Sequence, residues 1–387
     1  MRTIGVVTSS RADYGIYLPV LRAITQEPDL NLRLYVTGMH LVPEFGFSVE
    51  LIESDGFLIA EKIEGLLAAD SPSAIGKSMG LTTLGFSQSF QRERPDILLV
   101  LGDRFEMFAA VAATLPFKIP VAHIHGGELT EGAIDDSIRH SITKMSHIHF
   151  PTTAIYAERI VQMGEEPWRV KVSGAPSLDN LHGFKPLTAE DIKKRFGLYL
   201  TKPFILATFH PVTLEYEKTT EHIQTLLEAI HESEMNVIFT YPNADTQGRS
   251  IISHIEEFRN RSERVQVAKN LGTEGYFSLM SQASVMVGNS SSGIIEAASF
   301  SLPVVNVGKR QLGRFHGCNV LDVPCQKKPV LAAIRKALSS EFLKQIADAD
   351  NPYGQGHASK KIVETLKKIV INDKLLIKKF YDVENKS

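Results

Sequence analysis

The chain has 387 residues, 43% of them hydrophobic and 22% charged, which is ordinary globular composition and enough length for two domains with separate cores. Its 42 Lys and Arg against 44 Asp and Glu leave a net charge of −2, so bulk electrostatics favour neither nucleic acid nor an anionic membrane, and an anionic ligand has to be held by local groups. Cys318 and Cys325 are too few for a disulfide framework and poorly spaced for zinc, and the first apolar run is too short for a signal or a span, so reduced thiols and a cytoplasmic location are expected.

Runs rich in β-branched and aliphatic residues at 3–8, 31–36, 96–101, 119–125 and 147–151 are predicted as strands, separated by helical stretches with apolar residues three and four apart. That alternation implies a parallel sheet covered on both faces. A Pro/Gly/Ser-rich passage follows, Ser173-Gly-Ala-Pro-Ser177 and then Lys185-Pro-Leu-Thr188, and the pattern restarts at 203–209, recurring at 236–240, 264–268, 284–287 and 303–307. The expected class is therefore α/β with two Rossmann-like domains, one over 1–174 and one over 175–357. The tail, 358–387, is predicted as a helix that packs back on the first domain, with Lys360, Lys361, Lys367 and Lys368 on its solvated face rather than on a nucleic-acid arm.

Chemistry concentrates between 102 and 149. Gly102-Asp103-Arg104 and His123-Ile-His125-Gly-Gly-Glu128 follow two predicted strands, and Asp135-Asp136-Ser-Ile-Arg-His140 follows them, so ionisable groups crowd strand C-termini, where open α/β sheets bind ligands. Two turns have the look of anion sites. Thr8-Ser-Ser-Arg11 runs from a strand into a helix N-terminus and makes Arg11 a candidate diphosphate clamp, although it contains no dinucleotide fingerprint and no P-loop lysine. Gly288-Asn-Ser290-Ser291-Ser292-Gly293 ends another strand before a predicted helix at 294–300, offering hydroxyls and free N–H groups to a phosphate, with Glu296 placed to accept from a ribose diol. Histidine pairs at 123/125 and 147/149 lack a firm third ligand, and no metal is expected.

The ordered set Ser10-Arg-Ala-Asp-Tyr14, Gly102-Asp-Arg104, His123-Ile-His-Gly-Gly-Glu128, Ile134-Asp-Asp-Ser-Ile-Arg-His140, His210-Pro211, Tyr241-Pro-Asn243 and Gly288-Asn-Ser-Ser291 resembles the hydrolysing UDP-N-acetylglucosamine 2-epimerases over nearly the whole chain. The resemblance implies two Rossmann-like domains facing a cleft, as in B-type glycosyltransferases. It implies that UDP-N-acetylglucosamine and water give N-acetylmannosamine and UDP, for sialic acid synthesis. The alternative within the family is the same reaction on UDP-N,N'-diacetylbacillosamine, toward legionaminic acid. The chemistry removes the C2 proton as UDP leaves C1, then hydrates the resulting glycal while a proton returns to C2 from the other face. That requires two proton-transfer groups and no redox cofactor. A B-type glycosyltransferase is a more remote alternative, disfavoured because the carboxylate set exceeds what a single acceptor base needs.

Position by position, the resemblance makes Asp103, Asp135 and His210 catalytic. His210 faces the leaving diphosphate. The substrate and UDP contacts it implies are Arg11, Arg104, Asp136, Asn243, Ser290, Ser291, Ser292, Glu296 and Arg310. Many relatives carry a catalytic glutamate where this chain has His125, so either His125 or Glu128 takes that acid–base role. No lysine follows Arg11, where many relatives have one, and Glu131-Gly-Ala133 lengthens the loop before Asp135 by one residue relative to some. Expected partners are a UDP-sugar and further copies of the chain, as a homodimer or homotetramer, with no nucleic acid and no membrane.

Overall fold

A computed structural model describes residues 1–69, 71–242, 247–269 and 271–383. The chain divides into two units: the first holds Met1–Glu128, Asp135–His182 and the chain from Tyr353 onward, the second Leu129–Ile134 and Gly183–Pro352.

In the first unit six short strands form one parallel sheet: β1 (Arg2–Thr8), β2 (Leu30–Thr37), β3 (Ile59–Ile63), β4 (Ile97–Leu101), β5 (Val121–Ile124) and β6 (Ile148–Phe150), in the order β3-β2-β1-β4-β5-β6. Central strands are rich in apolar residues because helices cover both faces, and β4, Ile-Leu-Leu-Val-Leu, is buried at every position. Alternate residues feed separate cores. Ile4, Val6, Leu34 and Leu99 meet Tyr17, Val20 and Leu21 of the helix at Arg11–Gln26, together with Ile362 and Leu366 of the helix at Ala358–Lys368. Val7, Leu98, Val100 and Val121 meet Phe86, Phe90, Met107 and Val111 on the other face. Each such fully buried aliphatic side chain contributes about 1.5–3 kcal/mol.

The second unit repeats the plan with β7 (Phe204–Thr208), β8 (Asn236–Thr240), β9 (Val265–Ala268), β10 (Val285–Gly288), β11 (Val304–Val307) and β12 (Val320–Val323), ordered β12-β11-β10-β7-β8-β9. Counted from its own first strand, the order is the same as in the first unit. One face of its sheet packs Ile205, Ala207, Val285 and Val305 against Ile223 and Leu226 of the helix at Thr219–Glu232 and Val330 and Ile334 of the helix at Lys327–Ala337.

The ten expected strands are all present. The two that sequence reading missed, β3 (Ile-Ala-Glu-Lys-Ile) and β12 (Val-Leu-Asp-Val), are edge strands whose charged residues interrupt the apolar run, as edges usually require. The unit boundaries also differ from the expected 174/175 and 357/358, falling at 182/183 and 352/353. The Pro/Gly/Ser-rich passage is anchored in the first unit rather than linking: Ala175 N–H donates to Tyr353 O at 3.0 Å and the Asn180 amide to Gly15 O at 2.9 Å. Asp179 accepts from the N–H groups of Ala358 and Ser359 at 2.9 and 2.7 Å, capping the helix that begins there. No helix of the described residues is long and apolar enough to cross a membrane.

Candidate active site

In sheets of this order the strand sequence reverses beside the first strand, and ligands bind beyond the strand ends at that point. In the first unit the reversal lies between β1 and β4.

The turn after β1 is already filled by an anion of the chain's own. Ser10 caps the helix at Arg11–Gln26 in a reciprocal capping box with Asp13. The buried Asp13 carboxylate accepts from the N–H groups of Ser9 and Ser10, both at 3.0 Å, from Ser9 Oγ at 2.7 Å and from Thr8 Oγ1. The expectation that this turn offers its N–H groups to a phosphate is therefore corrected, and what the turn retains for a ligand is the partly exposed Arg11 side chain.

After β4 the chain turns at Gly102, whose φ is +75°, and sets Asp103 and Arg104 at the start of the helix at Phe105–Thr114. Arg104 forks onto Glu106 at 3.1 and 3.2 Å. Glu106 is fully buried, and burial raises its pKa above the ordinary glutamate range, although Arg104 opposes the shift.

After β5, His125 adopts φ +65°, a conformation that non-glycine residues take at a cost of about 1–3 kcal/mol. The turn brings His125 Nδ1 to 2.7 Å from Glu128 Oε1, and Thr152 Oγ1 donates to the same oxygen at 3.0 Å. His125 and Glu128 are both buried, and among the described residues His125 Nε2 is a buried nitrogen with no hydrogen-bond partner. Leaving such a group unsatisfied costs about 1–3 kcal/mol. Gly127 is required here on two counts: its φ is +78°, and a Cβ would lie 2.5 Å from Tyr156 O.

One residue that sequence reading left out of the site ties these groups together. Arg139 is buried on the helix at Asp135–Met145 and reaches Glu128 O at 3.0 Å, Asp136 Oδ1 at 3.3 Å and Asp103 Oδ2. Its signal was its place one helical turn after Asp136, on the same face. Asp135 opens that helix, where a carboxylate complements the helix dipole.

The histidine pairs behave as structural groups except for His125. His123 Nε2 donates to Gly102 O at 2.7 Å and its Nδ1 accepts from Thr143 Oγ1 at 3.2 Å, and burial holds its pKa down to about 3. His149 pairs with Glu165 at 3.1 Å; burial works to raise Glu165, but hydrogen bonds from His149, Lys144 and Lys378 outweigh it and bring it to about 2. Among the described residues no group of three His, Cys, Asp or Glu is placed to hold a metal ion.

In the second unit the reversal lies between β7 and β10. β10 ends at Gly288, where φ is +142° and a Cβ would fall 1.9 Å from Thr208 O, so only glycine lets the two strands close up. Asn289, also missed by sequence reading, brackets His210: its Oδ1 accepts from His210 N–H at 2.7 Å and its Nδ2 donates to His210 O at 2.9 Å. The carbonyl of Asn289 accepts from Arg310 at 3.1 Å and Gln311 at 2.9 Å. His210 and Arg310 are thus gathered by one asparagine.

Ser290 caps a short helix at Ser291–Ile295 rather than the longer one expected at 294–300. Its Oγ lies 2.8 Å from Ser292 Oγ, which Tyr276 OH meets at 2.7 Å, while the buried Glu296 sits where that helix gives way to a 3₁₀ turn at Ala297–Phe300. The segment Leu129–Ile134 belongs to this unit as well: Glu131 N–H donates to Leu312 O at 3.1 Å, and a Cβ on Gly132 would lie 2.4 Å from Lys309 O. Asn243 lies outside the described residues.

The family model for UDP-N-acetylglucosamine 2-epimerase matches residues 22–367. The chain is 38% identical over 378 residues, 98% of its length and 99% of the relative's, to a UDP-N,N'-diacetylbacillosamine 2-epimerase (hydrolysing) from Legionella pneumophila. This chain belongs to the UDP-N-acetylglucosamine 2-epimerase family. A second relative of this epimerase, a GDP/UDP-N,N'-diacetylbacillosamine 2-epimerase (hydrolysing) from Campylobacter jejuni, is 39% identical over 99% of both chains. The crystal structure of UDP-GlcNAc 2-epimerase from Neisseria meningitidis bound to UDP-GlcNAc superposes with a TM-score of 0.81 at 19% identity, covering 95% of this chain and 100% of that one, so the two share a fold. The expected class, two Rossmann-like units as in B-type glycosyltransferases, is the observed one.

Proposed function

We propose that this epimerase is a hydrolysing enzyme that releases UDP from UDP-N,N'-diacetylbacillosamine and yields the free sugar inverted at C2. The observation that carries the reading is the identity of 38–39%, over essentially full length, to two relatives bearing that activity in their names. It displaces the main expectation from sequence, UDP-N-acetylglucosamine, to second place; the description of the family model favours that second reading. The extra residue in Glu131-Gly-Ala133, held in the second unit beside Lys309 and Leu312, is a feature on which sugar preference can turn.

The division of labour follows the two units. In the second, Ser290, Ser291, Ser292 and Glu296 are assigned to the phosphates and ribose, with Asn243 and Arg310 on the nucleotide side. His210, held by Asn289, is assigned to the diphosphate, whose charge grows as it leaves. In the first, Asp103 and Asp135 are assigned to proton transfer at C2 with the His125–Glu128 pair, while Arg11, Arg104 and Asp136 contact the substrate. Arg139 fixes Asp103, Asp136 and the Glu128 carbonyl relative to one another, and such fixed geometry is what proton transfer at a weakly acidic carbon needs.

Incubation of the enzyme with UDP-N,N'-diacetylbacillosamine and, separately, with UDP-N-acetylglucosamine tests this. The expected result is UDP release with the first at a kcat/KM at least tenfold above the second. Faster turnover of UDP-N-acetylglucosamine assigns the second reading, and release of UDP only when an acceptor is added overturns hydrolysis altogether.

A further inference from the structure

We propose that His125 Nε2 takes the proton from C2 of the sugar, and that Glu128 is a positioning residue that acts only through His125. This deepens the reading of the enzyme as a hydrolysing 2-epimerase and rests on it.

The pair divides its two nitrogens between two tasks. A carboxylate at Glu128 can only accept, so in that form the bond at 2.7 Å would take a proton on Nδ1 and leave Nε2 as the nitrogen open to receive one. Glu128 is itself immobilised, by Thr152 Oγ1 on its Oε1 and by Arg139 on its carbonyl. Its Oε1 is thus taken up by His125 and Thr152. His125 Nε2, in contrast, is buried and without a hydrogen-bond partner among the described residues. The φ of +65° at His125 is the backbone distortion that aims the ring, and the Gly126-Gly127 turn, closed against Tyr156 O, keeps it there. Asp103 is less suited to this step, because its Oδ2 is occupied by the Arg139 guanidinium.

In the step, the C2–H bond breaks and its proton goes to Nε2. The electron pair becomes the C1–C2 double bond, and the C1–O bond breaks so that UDP leaves with its electrons. Water then adds across the double bond, its oxygen bonding to C1 while a proton of solvent origin reaches C2 from the opposite face, and the imidazolium, stabilised across Nδ1 by Glu128, passes its extra proton to water. Among the described residues, charged groups near the pair include Arg139 and, on Gly127 O at 2.6 Å, Arg159, with Asp103 and Asp136 on Arg139; burial favours the neutral form of His123 on β5.

The test follows UDP release and solvent deuterium entry at C2 as a function of pH in wild type, His125→Gln and Glu128→Gln, with UDP affinity measured alongside. His125→Gln is expected to lose turnover by at least about a hundredfold with UDP affinity unchanged. Glu128→Gln is expected to retain partial turnover, with the acid limb of kcat/KM moved about one unit to lower pH, because the imidazolium loses its counter-charge. A merely structural Glu128 would lower stability and leave that limb in place. Thr152→Val, which removes only the hydroxyl on Glu128, serves where Glu128→Gln fails to fold, and its limb is expected to move the opposite way. Normal turnover in His125→Gln, or an unmoved limb in the partner variants, overturns the role of His125 while leaving the hydrolytic reading intact. A wild-type enzyme that releases no UDP from either nucleotide sugar overturns both.

Discussion

Replacing Asn289 by alanine removes two hydrogen bonds at once, at 2.7 and 2.9 Å, from a side chain that is 1% exposed. The backbone N–H and C=O of His210 then lose their partners in a buried setting, at about 1–3 kcal/mol each. Water entering the space left by the amide recovers part of this, so about 3 kcal/mol is expected. In a unit of about this size, whose main stretch is Gly183–Pro352, that corresponds to a melting point lower by roughly 6–12 °C. The Asn289 carbonyl keeps Arg310 and Gln311, so the damage centres on His210, and UDP affinity should fall about tenfold. Asn289→Asp sets a second carboxylate oxygen against the His210 carbonyl and should do no better. Scanning calorimetry and UDP titration read both effects. An alanine variant that melts within about 2 °C of wild type and binds UDP normally would refute the claim that this bracket holds His210.

Asp103→Asn and Asp135→Asn should each lower kcat at least about a hundredfold with little change in UDP affinity; ordinary turnover in either removes that residue from the proton-transfer set. Gly288→Ala places a Cβ 1.9 Å from Thr208 O at a φ of +142°, so the variant should be insoluble or melt more than about 10 °C lower, and soluble protein with wild-type melting contradicts the close approach of β7 and β10. Stability should also fall with acid below neutrality. Burial depresses His123 to about 3 against 6.5 in the unfolded chain, so between those values the unfolded state holds a proton that the native state lacks. The contribution is whole above 6.5 and drains at about 1.4 kcal/mol per pH unit as pH falls. Urea unfolding at pH 7, 6 and 5 measures the slope, and a flat profile over that range contradicts the neutral, buried state.

Eight of the ten strands legible in the sequence have neighbours on both sides, where burial on two faces favours aliphatic residues, and the edge strands β6 and β9 were legible because no Asp, Glu, Lys or Arg enters them. At β3 and β12 one edge is open, charges enter the strand, and the run disappears. The candidate site was legible where an ionisable side chain closely follows a strand, as at Asp103, His125 and His210. It was illegible where an ordinary residue type does its work by hydrogen bonding to backbone: Asn289 and Gln311 look like any loop amides until their partners are seen. The turn at Ser9 and Ser10 was ambiguous for the opposite reason. A polar turn before a helix resembles an anion site, and only the fold shows that Asp13 is the anion. The ambiguity between His125 and Glu128 had the same origin, since a three-residue separation says nothing of the left-handed turn that puts one on the other.

The most direct test of the account is turnover of UDP-N,N'-diacetylbacillosamine in D₂O with both products identified. It predicts free UDP and a free sugar inverted at C2 that carries one deuterium there. A 2-epimer still joined to UDP, or a released sugar without deuterium at C2, would contradict it.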